Sequence, residues 1–358
     1  AADALGIGKT AIQELCARGR DSKEKYDDLD QGIKNAMADV GLSNLGVVQG
    51  GWLKTEGASI RFKLDHKTDP VDLAKSIKDS LADVIPCPKI DGPKDLPKDL
   101  CNFIPLADLH VGGQYGDPKY LPVVYSALEK LISSIPKAQK AVLLDMGDLL
   151  DANDHHGLTP ASGNNCDVIR ENHLKNTLDA LGIMRFSTER LLETHEEVEV
   201  HFLRGNHDET SYIAVMVGLY MFFGDNPRVN IVMTDDDFRV IPWGKCCVFP
   251  HHGDKAKWEA LKDVFSDQFP DAWAKAKYWR FVWTAHVHHD KQREMIGAVG
   301  EHFRTISAPT RWAQLKGLFS RGGIQCITLH KQDGEVSRKK VNLKPLLLQD
   351  RKPKSIKY

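Results

Sequence analysis

Ala141-Val142-Leu143-Leu144-Asp145-Met146-Gly147-Asp148-Leu149-Leu150-Asp151 is the stretch on which the fold of this chain turns. It opens as a short apolar run, the pattern of a strand buried on both faces. It ends in Gly-Asp-x-x-Asp, so polar, chemically capable side chains appear where the apolar run stops. The same arrangement recurs along the chain. Phe103-Ile104-Pro105-Leu106-Ala107 runs into Asp108-Leu109-His110, and the alternating Val198-Glu199-Val200-His201-Phe202-Leu203 runs into Gly205-Asn206-His207-Asp208. Apolar runs also precede His251-His252-Gly253-Asp254 and Ala285-His286-Val287-His288. Between them, Leu121 to Ile135 and His173 to Glu196 have helical periodicity. Strands alternating with helices predict an α/β fold, and open sheets of this kind place their sites at the carboxyl ends of the strands.

The five islands mix carboxylate and amide oxygens with imidazole nitrogens. That donor set suits Mn²⁺, Fe or Zn²⁺ better than Ca²⁺ or a thiolate site. Ligands gathered from several strand ends can hold two ions, and a two-ion site is a device for phosphoryl transfer. In order and spacing, D-x-H, G-D-x-x-D, G-N-H-[DE], H-G-D and G-H-x-H resemble the signature of the calcineurin-like metallophosphoesterases. The resemblance covers roughly residues 101–330. It implies a sandwich of two mixed sheets flanked by helices, and a metal-dependent phosphoesterase.

The resemblance also implies roles. Asp108, His110, Asp148 and His288 would hold one ion; Asp148, Asn206, His252 and His286 would hold the other. Asp148 would bridge, because a shared anion offsets the repulsion between two close cations. His207 would face the scissile phosphate and protonate or hydrogen-bond the leaving oxygen. Asp151 would orient and charge His207. By residue type both His251 and His252 could ligate; the family's ligand precedes Gly, which selects His252. Ala285 stands where the family has Gly, which adds only a methyl group if φ there is negative. His289 reads as a neighbour of the site rather than a ligand. Asp154, His155 and His156 either touch the substrate or occupy a polar loop. The ions implied are two divalent metals, Mn²⁺ first, with Fe, Zn²⁺ or Ni²⁺ as alternatives.

Composition narrows the partners. The 358 residues carry 48 Lys+Arg against 49 Asp+Glu, so no global positive field argues for nucleic acid. No run of 18 apolar residues exists, and no membrane span or membrane partner is expected. Ala1-Ala2-Asp3-Ala4 does not read as a signal peptide and lacks Met, which leaves room for residues upstream. Seven cysteines without C-x-x-C spacing suit reduced thiols and a cytoplasmic location, a bacterial host's if phage-encoded. Cys246-Cys247 sit in an apolar run and read as strand core.

The domain reading divides the chain at a Pro-rich stretch. Residues 1–85 form a small helical, winged-helix-like domain: a helix-turn-helix-like start around Gly6, a β-hairpin flanking Thr55-Glu56-Gly57-Ala58, and a helix over residues 70–84. An ordinary helical hairpin fits the opening equally well, since it lacks the basic stripe of a DNA reader. Residues 86–100 form an extended linker with Pro86, Pro88, Pro93 and Pro97. The catalytic domain follows over 101–345, and a basic tail over 346–358.

Substrate clues are weaker. The aromatics from Trp258 to Trp283 could stack bases or pack a core. Arg304, Arg311, Lys316 and Arg321 could contact phosphate or cover a solvated face. Residues 331–358 hold nine Lys/Arg against three acids and could track a nucleic-acid backbone. Ala152-Asn153 follow Asp151 where protein phosphatases have Arg-Gly. The chain is closer in look to phage and bacterial members related to the nuclease subunit of the double-strand-break repair complex. These readings converge on a dinuclear phosphodiesterase acting on nucleic acid, an exonuclease or endonuclease. A small-molecule phosphatase or nucleotide phosphodiesterase is the alternative enzyme, and a DNA-binding protein with a degenerate metal site the alternative class. A protein partner or a homodimer is compatible with all three.

Overall fold

The computed structural model describes residues 50–55, 58–63, 90–113, 120–166, 168, 172–307 and 320–343. The chain divides into two compact units, 1–85 and 86–358. In the first, β1 (Gly50–Thr55) and β2 (Ala58–Lys63) pair antiparallel with Thr55 opposite Ala58, the hairpin expected around that turn. The helix-turn-helix-like start, the helix over 70–84 and the tail after 343 lie outside the described residues.

In the second unit a six-stranded sheet has β3 (Leu100–Leu106), β4 (Ala138–Asp145), β5 (His195–Phe202) and β6 (Val229–Ile231) side by side and parallel. β12 (Gly323–His330) lies antiparallel against β3, and β13 (Gly334–Asn342) lies antiparallel against β12. The five-stranded sheet centres on β8 (Cys246–Pro250), β9 (Trp279–Thr284) and β11 (Ala298–His302), which are parallel. β7 (Ile241–Trp243) and β10 (Lys291–Met295) close its edges antiparallel. Both sheets are mixed, as the calcineurin-like sandwich requires.

The apolar runs of β3 and β4 are continuous because both their faces are covered. Phe103, Val142 and Leu144 point to the layer between the sheets, against Val248, Phe281 and Trp283. Ile104, Leu106, Ala141 and Leu143 point to the opposite layer, under α1 (Tyr120–Ile132), α2 (His173–Leu192) and α3 (Tyr212–Phe223). Trp283 has no exposed surface and meets Phe103 and Phe303 edge-on, with ring centres 5.7 and 5.2 Å away. Burying a ring of this size stabilises the sandwich by about 2–3 kcal/mol. α4 (Trp258–Gln268) covers the outer face of the second sheet through Trp258, Leu261 and Phe265, and α5 (Pro270–Lys275) adds the half-buried Ala272 and Trp273. The aromatics between Trp258 and Trp283 are therefore mostly core, with Tyr278 exposed. Cys246 and Cys247 are buried strand residues, and burial pushes the Cys247 thiol up to about 12.

The helical pattern from His173 was expected to run to Glu196; the helix stops at Leu192, and His195–Phe202 is strand β5. Two contacts far from this segment set the boundary. Arg228 donates from Nη2 to the carbonyls of Leu192 and His195, both at 2.6 Å, satisfying acceptors that the helix end leaves open. β4 then captures the following residues in parallel register, Ala138 opposite His195. No helix among the described residues is long and apolar enough to cross a membrane.

Candidate metal centre

The five islands sit just beyond the carboxyl ends of β3, β4, β5, β8 and β9, and the fold brings them to one place. Asp108, His110 and His288 offer ligand atoms within 4.8 Å of one another, and so do Asp148, His252 and His286. Asn206 joins the second group, its Oδ1 lying 3.1 Å from His252 Nε2.

Asp148 connects the two groups through one oxygen. Its Oδ2 lies 3.7 Å from His110 Nε2 and 3.3 Å from His252 Nε2. Its Oδ1 accepts the backbone N–H of His207 at 2.8 Å, which fixes the carboxylate plane. Asp108 is held likewise: the His286 N–H reaches its two oxygens at 3.1 and 3.2 Å, and Oδ1 lies 3.3 Å from His288 Nε2.

The ring nitrogens are sorted by their outer contacts. His252 Nδ1 donates to the Met146 carbonyl at 2.9 Å, leaving the Nε2 lone pair for the cluster. His110 Nδ1 lies 2.8 Å from Asp151 Oδ1, which leaves its Nε2 inward too. His110 Nε2 and His288 Nε2 stand only 3.2 Å apart. Donor atoms around one ion with bonds of about 2.1 Å lie roughly 3.0–3.4 Å apart, so these separations fit a divalent cation. The carboxylates also call for positive charge. Although burial opposes a charge on His252, Asp148 and Asp108 push it up to about 10. Burial likewise works against ionised Asp148, but His252 and His110 hold it well below the usual carboxylate range. The donor set thus fits two divalent ions, one in each group, with Asp148 between them.

The backbone is bent to make this possible. Among the described residues six that are not glycine have positive φ, and five are Asp108, His110, Asp148, His286 and His288. Such conformations are sparsely populated and cluster at functional sites. The motif glycines leave room for the ligands, and Gly147 and Gly253 also take positive φ, at +90° and +105°. A Cβ on Gly205 would stand 2.0 Å from Asp148 Oδ1, and one on Gly147 would stand 2.6 Å from His252 Nδ1. Ala285 does not have positive φ, so its methyl group is accommodated where the family carries glycine.

Other expected residues fall into place or outside it. His251 turns away: its Nδ1 accepts the Gly253 N–H and its ring packs on Phe238, so His252 is the imidazole that enters the cluster. His289 is exposed and contacts the Val287 carbonyl. Asp154 caps the His156 N–H, and His155 and His156 are exposed. Arg304 is bound to Asp290, Arg321 is exposed, and Arg311 and Lys316 lie outside the described residues.

Asp151 holds His207 differently from expectation. The Asp151 carbonyl, 2.8 Å away, accepts from His207 Nδ1, while the carboxylate is 3.5 Å from that nitrogen and nearer to His110. A main-chain carbonyl therefore sets the His207 tautomer, while the buried carboxylate stands beside the ring of His110 without an aligned hydrogen bond to it.

Three supporting residues carried no role in the sequence reading. Asp208 is buried against the backbone of Asp148, Leu150 and Gly205. Burial and the Asp148 charge push its carboxyl up to about 7. Thr305 Oγ1 donates to the Asp108 carbonyl at 2.7 Å. Asn153 Oδ1 accepts the N–H groups of Thr210 and Ser211 at 2.7 and 3.2 Å, capping the start of α3. Asp208 stands inside a quoted motif and Asn153 directly behind another, so position was the only signal; Thr305 had none.

The family model for calcineurin-like phosphoesterases matches residues 102–327, and the chain belongs to that family. It is a metal-dependent phosphoesterase of the two-ion kind. Similar solved structures include an archaeal phosphodiesterase, at 12% identity, covering 67% of this chain and 99% of that one, TM-score 0.37. Vps29 from Entamoeba histolytica complexed with zinc matches at 13% identity, covering 68% and 99%, TM-score 0.31. A predicted phosphoesterase from Streptococcus pneumoniae matches at 12% identity, covering 68% and 98%, TM-score 0.27. No curated protein matches the chain.

Proposed function

We propose that this chain is a dinuclear phosphodiesterase whose substrate is nucleic acid, acting as an exonuclease or endonuclease. The observation that carries the reading is the pair of ligand groups joined through Asp148 Oδ2. Asp108, His110, Asp148 and His288 would hold one ion; Asp148, Asn206, His252 and His286 would hold the other, with Mn²⁺ the first candidate. When bound, the ions supply Lewis acidity toward the phosphoryl oxygens and toward water.

The chain's own residues do the rest. His207 rises beside the cluster, its ring centre 4.6 Å from that of His110, with 23% of its side chain exposed. With Nδ1–H donated to the Asp151 carbonyl, Nε2 is the nitrogen left to face the leaving oxygen, and it is in the imidazolium form, with both nitrogens protonated, that it has a proton to give. The buried floor of Asp108 and Asp148 opens upward through His207 and His288, 23% and 30% exposed. Of the Lys and Arg in residues 331–358, Arg338 is paired with Glu301 and Glu335 and Lys340 with Asp290; the others add charge suited to a phosphate backbone.

The test is Mn²⁺-dependent hydrolysis of labelled single- and double-stranded DNA beside bis-p-nitrophenyl phosphate, with Asp148→Asn as control. DNA degradation that the control lacks supports a nuclease, and its product ladder separates exo- from endonuclease action. Cleavage of the small diester alone overturns the nucleic-acid assignment. Binding of DNA unchanged by Asp148→Asn, with no hydrolysis of any diester, overturns the catalytic reading.

A further inference from the structure

Asp208 has no exposed surface, and its carboxylate meets only backbone N–H groups. Oδ1 accepts from Asp148 at 3.2 Å and from Gly205 at 3.1 Å; Oδ2 accepts from Leu150 at 3.1 Å. Asp148 and Leu150 belong to the loop after β4, Gly205 to the loop after β5. In return, the Asp148 carboxylate accepts the N–H of His207, the neighbour of Asp208. The two loops therefore clamp each other: the side chain of each fixes the backbone of the other. Asp148 has φ +55, a left-handed conformation it keeps only if its backbone is held.

We propose that Asp208 is a positioning residue for the bridging carboxylate, setting where Asp148 Oδ2 stands between the two ligand groups. The proposal rests on the two-ion reading above. An aspartate is required because its two oxygens can accept all three N–H groups. An asparagine has one oxygen, and its amide nitrogen would point a donor at a donor whichever way it turned. Asp208 ligates no ion and touches no substrate, so its effect travels through Asp148. Residues that orient a metal ligand typically change affinity by about 10–100-fold when replaced.

The experiment titrates EDTA-stripped protein with Mn²⁺, reading affinity by calorimetry and spin coupling between the two ions by electron paramagnetic resonance. Wild type is expected to take up two coupled ions. Asp208→Asn is expected to bind the pair about 10–100-fold more weakly. It should lose the coupled signal at two equivalents of Mn²⁺, and lower kcat with little change in KM. Circular dichroism of the stripped proteins checks that both are folded. If Asp208→Asn does not fold, Asp208→Glu and Asp208→Gln carry the same comparison, with the coupled pair kept by the carboxylate and lost by the amide. Wild-type affinity, coupling and kcat in Asp208→Asn, or equal coupling in the Glu and Gln variants, would overturn the proposal. Failure of the wild type to bind two ions would instead overturn the two-ion reading on which it rests.

Discussion

Acid should destabilise this protein through one histidine remote from the metal centre. His195 opens β5 and has no exposed surface. Its Nδ1 donates to the Leu191 carbonyl at 3.0 Å, and its Nε2 accepts from Asn102 Nδ2 at 2.9 Å. Asn102 cannot turn over, because Nδ2 also donates to the Pro136 carbonyl and Oδ1 accepts from Thr328 Oγ1. A protonated imidazole would aim Nε2–H at the Asn102 amide N–H in a dry interior. Burial accordingly lowers the His195 pKa from 6.5 to about 4. The unfolded chain takes up the proton near 6.5 and the folded chain only near 4, so between those values the unfolded state binds more protons. Stability is full above pH 6.5 and declines as pH falls toward 4. At about 1.4 kcal/mol per pH unit the loss reaches about 3 kcal/mol, or roughly 6 °C in melting temperature for a unit of this size. Urea unfolding of wild type and His195→Gln, in EDTA from pH 8 to pH 4, measures it. Carboxylates such as Glu199, held at about 2 chiefly by His201 against the cost of burial, add an acid slope common to both proteins. The difference between the profiles isolates His195. Parallel profiles would refute the argument, because the glutamine has no proton to take up.

Three further outcomes are expected. Mn²⁺ at 100 times its dissociation constant should stabilise EDTA-treated protein by about 2.7 kcal/mol per site in a thermal melt, and Asp148→Asn should lose most of that shift. A melt that Mn²⁺ leaves unmoved would count against the ligand assignment. His207→Asn should lower kcat by about 10²–10⁴-fold while calorimetric Mn²⁺ affinity stays at the wild-type value, because His207 is proposed as a proton donor; a weakened Mn²⁺ affinity would instead place it among the ligands, beside His110 and Asp151. Thr305→Val should cost about 1–3 kcal/mol in urea unfolding, since the buried Asp108 carbonyl loses its hydroxyl donor; no loss would mean that the Thr305 contact does not brace the ligand loop.

What could be read in advance followed from periodicity and order. The strands β3, β4, β8 and β9 announce themselves because both faces are covered, so their sequences are apolar without a break. The ligands announce themselves because each follows such a run within a few residues. The contacts that failed to show are those joining residues far apart in sequence. Nothing near Leu192 reveals that Arg228 will end its helix. Nothing at Asp151 tells whether its carboxylate will turn to His110 or His207, since both imidazoles converge on it only in the folded chain. The choice between His251 and His252 was settled by the family's Gly, and its physical cause is the Met146 carbonyl that orients His252. The aromatic run from Trp258 to Trp283 was compatible with stacking or packing; the second sheet decides for packing, with Trp258 and Phe265 on its outer face and Phe281 and Trp283 between the sheets.

The left-handed residues join sequence pattern to chemistry. Asp108 and His110 follow β3, His286 and His288 follow β9, and both members of each i, i+2 pair have φ between 47° and 65°. D-x-H and H-x-H are thus the same backbone device, used once in each sheet. In each, the middle residue points away from the ligands: Leu109 is 1% exposed in the helix-side core, and Val287 is 43% exposed on the surface. Each such residue costs about 1 kcal/mol or more against an ordinary conformation, so five of them cost about 5 kcal/mol, comparable with the whole net stability of many domains. The loops offset this by bonding to one another: Asp108 N–H to Gly147 O at 3.3 Å, His110 N–H to Asp148 O at 2.8 Å, Met146 N–H to Leu106 O at 2.9 Å. Each of these bonds continues the β3–β4 pairing past the strand ends into the ligand loops. The parallel sheet is therefore more than a platform: its hydrogen-bond ladder, continued into the loops after β3 and β4, helps hold Asp108, His110 and Asp148 in conformations that aspartate and histidine would not otherwise keep.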